Sequence, residues 1–140
     1  MKSEPADKPC IVFDTNVLIS GYLWNGTSRK ALQVVKSGKF KLLYCRESID
    51  ELVRVLSIKF HLDAQEIYRI VLDISGIGEL ITVTSKVAPV RNDPSDNLFI
   101  NLARDANAQM IISGDSHLLK LKTYKKISII TVSEFVKRSI

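Results

Sequence analysis

The sequence predicts a single α/β domain built on a mostly parallel sheet, and three observations support this fold class. Short apolar runs that suit strands alternate along the chain with segments in which apolar residues recur at helical spacing. Strands that alternate with helices form layered domains with a parallel sheet. The chain has 140 residues, enough for one substantial core, and it shows no internal repeat or low-complexity linker.

Five short apolar segments are the strand candidates. The first ends at Asp14, and a continuous apolar run of this kind suits a strand that helices cover on both faces. The third alternates between apolar and other residues. In chain order the candidates are Cys10 to Phe13, Phe40 to Cys45, Leu80 to Thr84, Met110 to Ile112 and Ile127 to Val132.

Helix candidates lie between these segments. Thr27 and Asp63 can each cap a helix, and Asp93-Pro94 can open another. Ser48 to Leu56 places apolar residues at i, i+3, i+4 and i+7, which defines one buried face. The candidates are Thr27 to about Val35 with Gly38 as its stop, Ser48 to Leu56, a helix from Asp63 that breaks near Gly76 and Gly78, a helix from Asp93 through Ala106, and a short helix from Ser133.

Composition narrows the class of protein. With 46% hydrophobic and 25% charged residues, the chain is typical of soluble globular proteins, and its net charge of +5 is compatible with a polyanionic partner without proving one. No apolar stretch approaches the roughly 20 residues that cross a bilayer, and no secretion signal is visible. Cys10 and Cys45 lie in apolar contexts, as small hydrophobes do. We therefore expect a flexible tail at 1–9, a domain at 10–140 and a cytoplasmic protein.

Acidic residues follow two of the predicted strands at their ends. Asp14 comes directly after the first strand, and Asp115 follows the fourth after Ser113-Gly114. In parallel sheets, ligands bind beyond the carboxyl ends of the strands, near a switch in strand order. Asp14 and Asp115 are therefore expected at one edge of the sheet.

Each acidic residue also has a purely structural explanation. Asp14 and Asp115 can cap the helices that follow them, and for Asp93 capping is the favoured role. Asp96 would project from the first helical turn and could reach the strand edge. Glu51 could form a surface ion pair with Arg54, a contact that contributes little. Taken together, however, these acids suggest one shared site for a hard divalent cation, which prefers carboxylate and water oxygens.

Other chemistries fit the sequence less well. His61 and His117 form no zinc spacing with either cysteine. His117 could touch substrate, but a position at the surface or at a helix start is favoured. No GxGxxG or P-loop pattern is present. Two classes of protein remain as alternatives to a metal-dependent nuclease. One is a non-catalytic RNA-binding or protein-interaction module, and the other is a magnesium-dependent phosphatase of similar build. Asp14-Thr15-Asn16 lacks the second aspartate of an Asp-x-Asp nucleophile pair, which speaks against the haloacid-dehalogenase type of phosphatase.

Four segments in the same order resemble the motifs of the PIN-domain family. They span Cys10 to about Val136, and the branch they most resemble is that of the VapC-like toxin components of toxin–antitoxin systems. The segments are Ile11 to Ser20, Ser48 to Leu56, Arg91 to Asn97 and Ile111 to Leu119.

The resemblance implies a three-layer domain with a central, mostly parallel five-stranded sheet flanked by helices. It also implies cleavage of single-stranded RNA by a water that Mg²⁺ or Mn²⁺ activates, leaving a 5′-phosphate and a 3′-hydroxyl. A homodimer and a small antitoxin protein are further implied partners. Carried over by position, the metal-binding and catalytic acids are Asp14, Glu51, Asp96 and Asp115, with Asn16, Ser113 and Asp93 as supporting residues. Glu47, one helical turn before Glu51, is the alternative helix acid.

Overall fold

A six-stranded sheet forms the centre of the computed structural model, which describes residues 8–91 and 94–139. Across the sheet the strand order is β3-β2-β1-β4-β6-β5, and only β5 and β6 pair antiparallel. The predicted mostly parallel α/β sheet is confirmed, although it has six strands rather than the five expected. The strands are β1 (Cys10–Phe13), β2 (Lys41–Tyr44), β3 (Gly78–Leu80), β4 (Met110–Ile112), β5 (Thr123–Tyr124) and β6 (Ile127–Ile130).

Helices cover both faces of the sheet, so the described part of the chain has three layers. Successive strand residues alternate between the two faces: Ile11 and Phe13 pack into one apolar cluster, and Val12 packs into the other. Residues of α1, α2, α3, α4 and α7 complete the first cluster, and residues of α5 and α6 complete the second. The helices are α1 (Thr15–Leu23), α2 (Thr27–Lys36), α3 (Arg46–Ile58), α4 (Ala64–Ile77), α5 (Asn97–Asp105), α6 (Ser116–Leu121) and α7 (Val132–Arg138), with a 3₁₀ turn at Pro94–Asp96 before α5.

Several helix boundaries differ from the predictions. Thr27 is the first residue of α2 rather than its cap, because Gly26 occupies the cap position and no side chain bonds there. Asp63 does cap α4, in a reciprocal pair with Glu66, and that helix ends at Ile77 with Gly78 as its C-cap, as predicted. The last helix begins at Val132, one residue before the predicted start. The helix α1 was anticipated only as a turn that Asp14 could cap, since its residues are apolar on several sides and show no single helical face.

Both cysteines are free, Cys45 is buried and Cys10 is half-buried, as expected of small hydrophobes. The predicted cap Asp93 and most of the predicted tail lie outside the described residues. In the two described ranges, no helix combines the length and the apolar character that crossing a membrane requires.

The strand β5 is the one that the sequence analysis missed. It has only two residues, too few to show any alternation, and it joins β6 through a two-residue turn at Lys125–Lys126. Turns of this kind usually contain Asn or Gly, which adopt positive φ easily. Here Lys125 takes a positive φ of 57°, so the turn carries no sequence signal.

The third strand lies earlier in the chain than predicted, at Gly78–Leu80 instead of Leu80 to Thr84. It begins at a glycine because the backbones approach closely there: a Cβ on Gly78 would lie 2.6 Å from the carbonyl oxygen of Leu42. Beyond Ile81, whose amide donates to Tyr44, the chain leaves the sheet. The alternation in this segment reflects an extended chain rather than a strand.

Side chains of α5 hold this extended segment in place. Asn97, Asn101 and Asp105 lie four residues apart on one side of the helix, where they form a ladder of acceptors and donors. Asn97 exchanges two hydrogen bonds of 2.9 Å with the backbone of Val90, Asn101 exchanges two of 2.9 and 3.1 Å with Val87, and Asp105 accepts from the amides of Thr84 and Ser85 at 2.6 and 2.9 Å. The ladder therefore replaces the sheet as the partner of this backbone.

We expect Asn97→Ala to lower the free energy of unfolding by about 2–3 kcal/mol, because it leaves a buried amide and a buried carbonyl of Val90 without partners. Asn25→Ala, at an exposed loop position, should change it by less than about 0.5 kcal/mol. Urea denaturation measures both. Equal stability of the two variants would contradict the assigned role of the ladder.

Candidate metal centre

The candidate site lies where the strand order of the sheet reverses. From β1 the chain continues to β2 and β3 on one side, and then returns to place β4 on the other side of β1. The ends of β1 and β4 are joined there, because the amide of Asp14 donates to the carbonyl of Ile112 at 3.1 Å. Asp14 and Asp115 thus follow neighbouring strands at one edge, as predicted. Such switch points form crevices in parallel sheets.

Two hydrogen bonds hold the Asp14 side chain in this crevice, one from the start of α1 and one from the residue that follows β4. One carboxylate oxygen accepts from the amide of Val17 at 2.9 Å, which caps α1, and the other accepts from the hydroxyl of Ser113. The Ser113 oxygen in turn accepts from the amide of Asp115 at 2.9 Å. The sequence analysis treated helix capping and a place in the site as alternatives for Asp14. In the structure, its carboxylate caps α1 and also lies at the candidate site.

Burial of Asp14 has an electrostatic cost. The side chain is only 4% exposed, and burial raises the pKa of its carboxyl, although hydrogen bonds from Ser113, Val17 and Gly114 act in the opposite direction. The negative charge of Asp115 raises this pKa further. A cation beside the two carboxylates would offset both the desolvation and the repulsion.

Asp96, Asp115 and His117 approach one another closely enough to share an ion. One ligand atom from each lies within 4.8 Å of the other two. Asp96 ends the 3₁₀ turn and is 6% exposed, whereas Asp115 caps α6 by accepting from the amide of His117 at 2.7 Å. The imidazole Nδ1 of His117 lies 3.7 Å from the same Asp115 oxygen. Two carboxylates and an imidazole are suitable ligands for a divalent metal.

Glu51 reaches the site from α3, and Glu47 does not. Thr15 donates to Glu51 Oε1 at 3.1 Å, which connects the second turn of α3 to the start of α1. Glu47 is exposed and lies outside the cleft. The geometry therefore favours Glu51 as the helix acid.

Comparing Glu51→Gln with Glu47→Gln tests this distinction, because both remove one charge from the same helix. We expect the first to weaken Mn²⁺ binding by about 10–100-fold, as loss of a group that orients a metal site does. The second should leave the affinity within about twofold. Calorimetric titration with Mn²⁺ gives both values, and equal losses would contradict the assignment of Glu51.

A cleft of about 230 Å³ brings the predicted acids together. Its walls contain Asp14, Glu51, Asp96 and Asp115, together with Asn16, Thr15, Ser95, Val55 and Phe99. Of the predicted supporting residues, Asn16 faces the cleft, Ser113 lies behind Asp14, and Asp93 is outside the described residues. The acids come from four separate segments of the chain, so only the fold assembles them.

Two polar residues at the site had no assigned role in the sequence analysis, and a third, His117, was considered only as a residue that could touch substrate. Thr15 and Ser95 lie beside predicted acids in their motifs, and that adjacency was the one available signal. His117 does begin a helix and is partly exposed, as predicted, but its ring also lies beside Asp96 and Asp115. Its position two residues after Asp115, on the first turn of a helix that this acid caps, explains the proximity.

Comparison with known proteins identifies the family of this arrangement. A family model described as a PIN domain matches residues 10–117, well over half of the chain and including all four acids of the cleft. No match was found among curated proteins.

Proposed function

The chain belongs to the PIN-domain family, and we propose that it is a Mg²⁺- or Mn²⁺-dependent endoribonuclease that hydrolyses phosphodiester bonds of single-stranded RNA. PIN domains are generally nucleases, which supports the reaction class. The observation that carries the proposal is the convergence of four carboxylates on one cleft at the switch point, with two of them almost fully buried.

The residues of the cleft fit a divalent cation. Asp14, Asp96 and Asp115 would hold it, directly or through water, and His117 offers an additional nitrogen. Bound there, the cation would activate a water for attack and stabilise charge on the phosphate and on the leaving oxygen. Without a cation, the same carboxylates would repel a phosphodiester.

Neighbouring groups orient these carboxylates before any substrate arrives. Ser113 and the Val17 amide fix Asp14. Thr15 directs Glu51 toward the cleft, where its carboxylate would accept a hydrogen bond from the attacking water and orient it. The amide of His117 fixes one oxygen of Asp115. These hydrogen bonds tie Asp14 and Asp115 to the first turns of α1 and α6, so the two carboxylates would be held in place for an in-line attack.

Cleavage of an end-labelled single-stranded RNA tests the proposal. We expect endonucleolytic cutting in Mn²⁺ or Mg²⁺, none in EDTA, and little cutting of single-stranded DNA of the same sequence. A small phosphomonoester such as p-nitrophenyl phosphate distinguishes the phosphatase rival, which would turn it over faster than RNA. RNA binding that EDTA does not alter, without turnover, would instead favour a non-catalytic binding module.

We further propose that the protein is the toxin of a toxin–antitoxin pair, that it forms a homodimer and that a small antitoxin protein blocks the cleft. The similarity of its motifs to VapC-like toxins supports these assignments. Induced expression in a bacterial host should arrest growth, and the Asp14→Asn variant should not. Normal growth with abundant wild-type protein would instead point to a role in RNA processing or decay.

A further inference from the structure

A basic cavity lies directly beside the acidic cleft. It has a volume of about 240 Å³ and is lined by Pro89, Val90, Arg91, His117, Lys120 and Leu121. None of these six residues carries a carboxylate, whereas four acids line the neighbouring cleft. His117 connects the two spaces, because it lines the basic cavity while one of its ring nitrogens lies near oxygens of Asp96 and Asp115.

Each wall of this basic cavity is connected to a segment that carries one of the acids. One wall is α6, on which Lys120 follows His117 by three residues and therefore lies on the same side of the helix. That helix begins at Asp115, whose carboxylate caps it. The backbone position from which the Lys120 side chain extends is thus set relative to Asp115.

The other wall is the extended segment that ends at Arg91. Both backbone groups of Val90 are bonded at 2.9 Å to the side chain of Asn97, the residue that follows Asp96. The point from which the Arg91 side chain leaves is therefore fixed next to a second acid of the cleft. The cavity and the cleft therefore lie side by side, with basic side chains in one and carboxylates in the other.

We propose that the basic cavity binds the phosphodiester adjacent to the one that is cut, so that single-stranded RNA runs from the cavity into the acidic cleft. This inference rests on the proposed ribonuclease function and deepens it. The Arg91 guanidinium and the Lys120 ammonium would contact the phosphate oxygens. Val90 and Leu121 provide an apolar wall for the sugar and base edge. The cavity supplies the attraction for a polyanion that the carboxylates alone do not provide.

The double variant Arg91→Ala/Lys120→Ala tests this subsite. Its matched control is Lys30→Ala/Arg69→Ala, which removes the same two charges from exposed positions on α2 and α4. We expect the cavity variant to raise KM for single-stranded RNA about tenfold with kcat within twofold, and the control to change KM by less than about twofold. Equal changes in the two variants would show long-range electrostatics only and overturn the proposal.

Substrate length gives a second readout. A dinucleoside monophosphate contains only the bond to be cut, so wild type and cavity variant should cleave it equally. A trinucleoside diphosphate adds the neighbouring phosphate, and here the variant should be slower. A penalty that is the same for both substrates, or absent from both, would overturn the proposed subsite.

RNA binding in EDTA separates this inference from the proposed function. For wild type, the anisotropy of a labelled oligonucleotide at several salt concentrations should give the slope of log affinity against log salt. The cavity variant should reduce the magnitude of this slope by about 0.7, since each neutralised phosphate of a single strand contributes about 0.7 and the cavity binds one phosphate. If wild type cuts no RNA but shows this difference in slope, the hydrolase proposal fails and the subsite stands. If wild type cuts RNA and the slopes agree, or if no binding is measurable, the subsite fails.

Discussion

Replacing either Asp14 or Asp115 by Asn is expected to lower RNA cleavage in Mn²⁺ by about 10³-fold or more while the protein remains folded. Both carboxylates line the cleft, and in the proposed mechanism loss of either charge would weaken binding of the cation that activates the attacking water. Asn has almost the same shape, and an amide at position 14 can still bond to the Val17 amide and the Ser113 hydroxyl. Initial rates at saturating metal, with circular dichroism for folding, give the comparison.

The control for this experiment is Asp50→Asn, which removes one charge from an exposed position on α3. It should leave the rate within about twofold, because its charge is screened by solvent. A folded Asp14→Asn or Asp115→Asn protein that cleaves RNA at the wild-type rate would show that the chemistry does not use this cleft.

The same Asp14→Asn change is expected to make the metal-free protein at pH 7 more stable by about 1 kcal/mol, since it removes a buried charge. Burial raises the pKa of Asp14 in the folded protein above the ordinary value of 3.8, which the unfolded chain keeps. At pH values between the unfolded and the folded pKa, the folded protein therefore binds more protons than the unfolded chain. The free energy of unfolding contributed by this group therefore falls as pH rises through that window and stays lower above it. Denaturant titrations from pH 3 to 7 should show this slope in wild type, and the variant should lack it.

Metal should reverse the order of stability. At 100 times its dissociation constant, Mn²⁺ would add about 2.7 kcal/mol to the wild type, which corresponds to a rise in Tm of about 5–10 °C for a domain of this size. The Asp14→Asn protein should show little or no rise, and Asp50→Asn should respond like wild type. A large rise in Asp14→Asn would place the principal metal site elsewhere.

The sheet and its carboxyl-terminal edge were predictable because their signals are local. Each buried parallel strand is a short apolar run, and Asp14 or Asp115 follows such a run directly. Once strands and helices alternate, the rule for parallel sheets places those two acids at the same edge. This reasoning needs no knowledge of which strands are neighbours, and the structure confirms the placement.

The parts that were mispredicted depend on contacts between distant segments. The alternation over Leu80 to Thr84 suits a strand, but beyond Ile81 the chain leaves the sheet, and Asp105 on α5 accepts from the amide of Thr84 instead. The approach of Gly78 to Leu42 decides where β3 begins. Local spacing contains no information on such pairs. The hairpin strand β5 was missed for another reason, because two residues and a lysine turn leave no pattern.

The local sequence could not decide whether each acid has a structural or a functional role either. Asp14 and Asp115 each cap a helix and line the cleft, so capping does not exclude a role in the site. Glu51 and Glu47 lie one turn apart on a helix whose orientation only the packed structure defines, and the Thr15 hydroxyl identifies the inward one. Likewise, His117 lies near Asp96 only because the fold brings α6 close to the turn that precedes α5.

The most direct test of the central claim is the chemical nature of the RNA ends that the protein produces in Mn²⁺. Attack by an activated water in the acidic cleft predicts a 5′-phosphate and a 3′-hydroxyl, with cutting lost in EDTA and in Asp14→Asn. Ligation-based end analysis or mass spectrometry of the fragments reads this out. A 2′,3′-cyclic phosphate, formed by attack of the RNA's own 2′-hydroxyl and persisting in EDTA, would contradict the account.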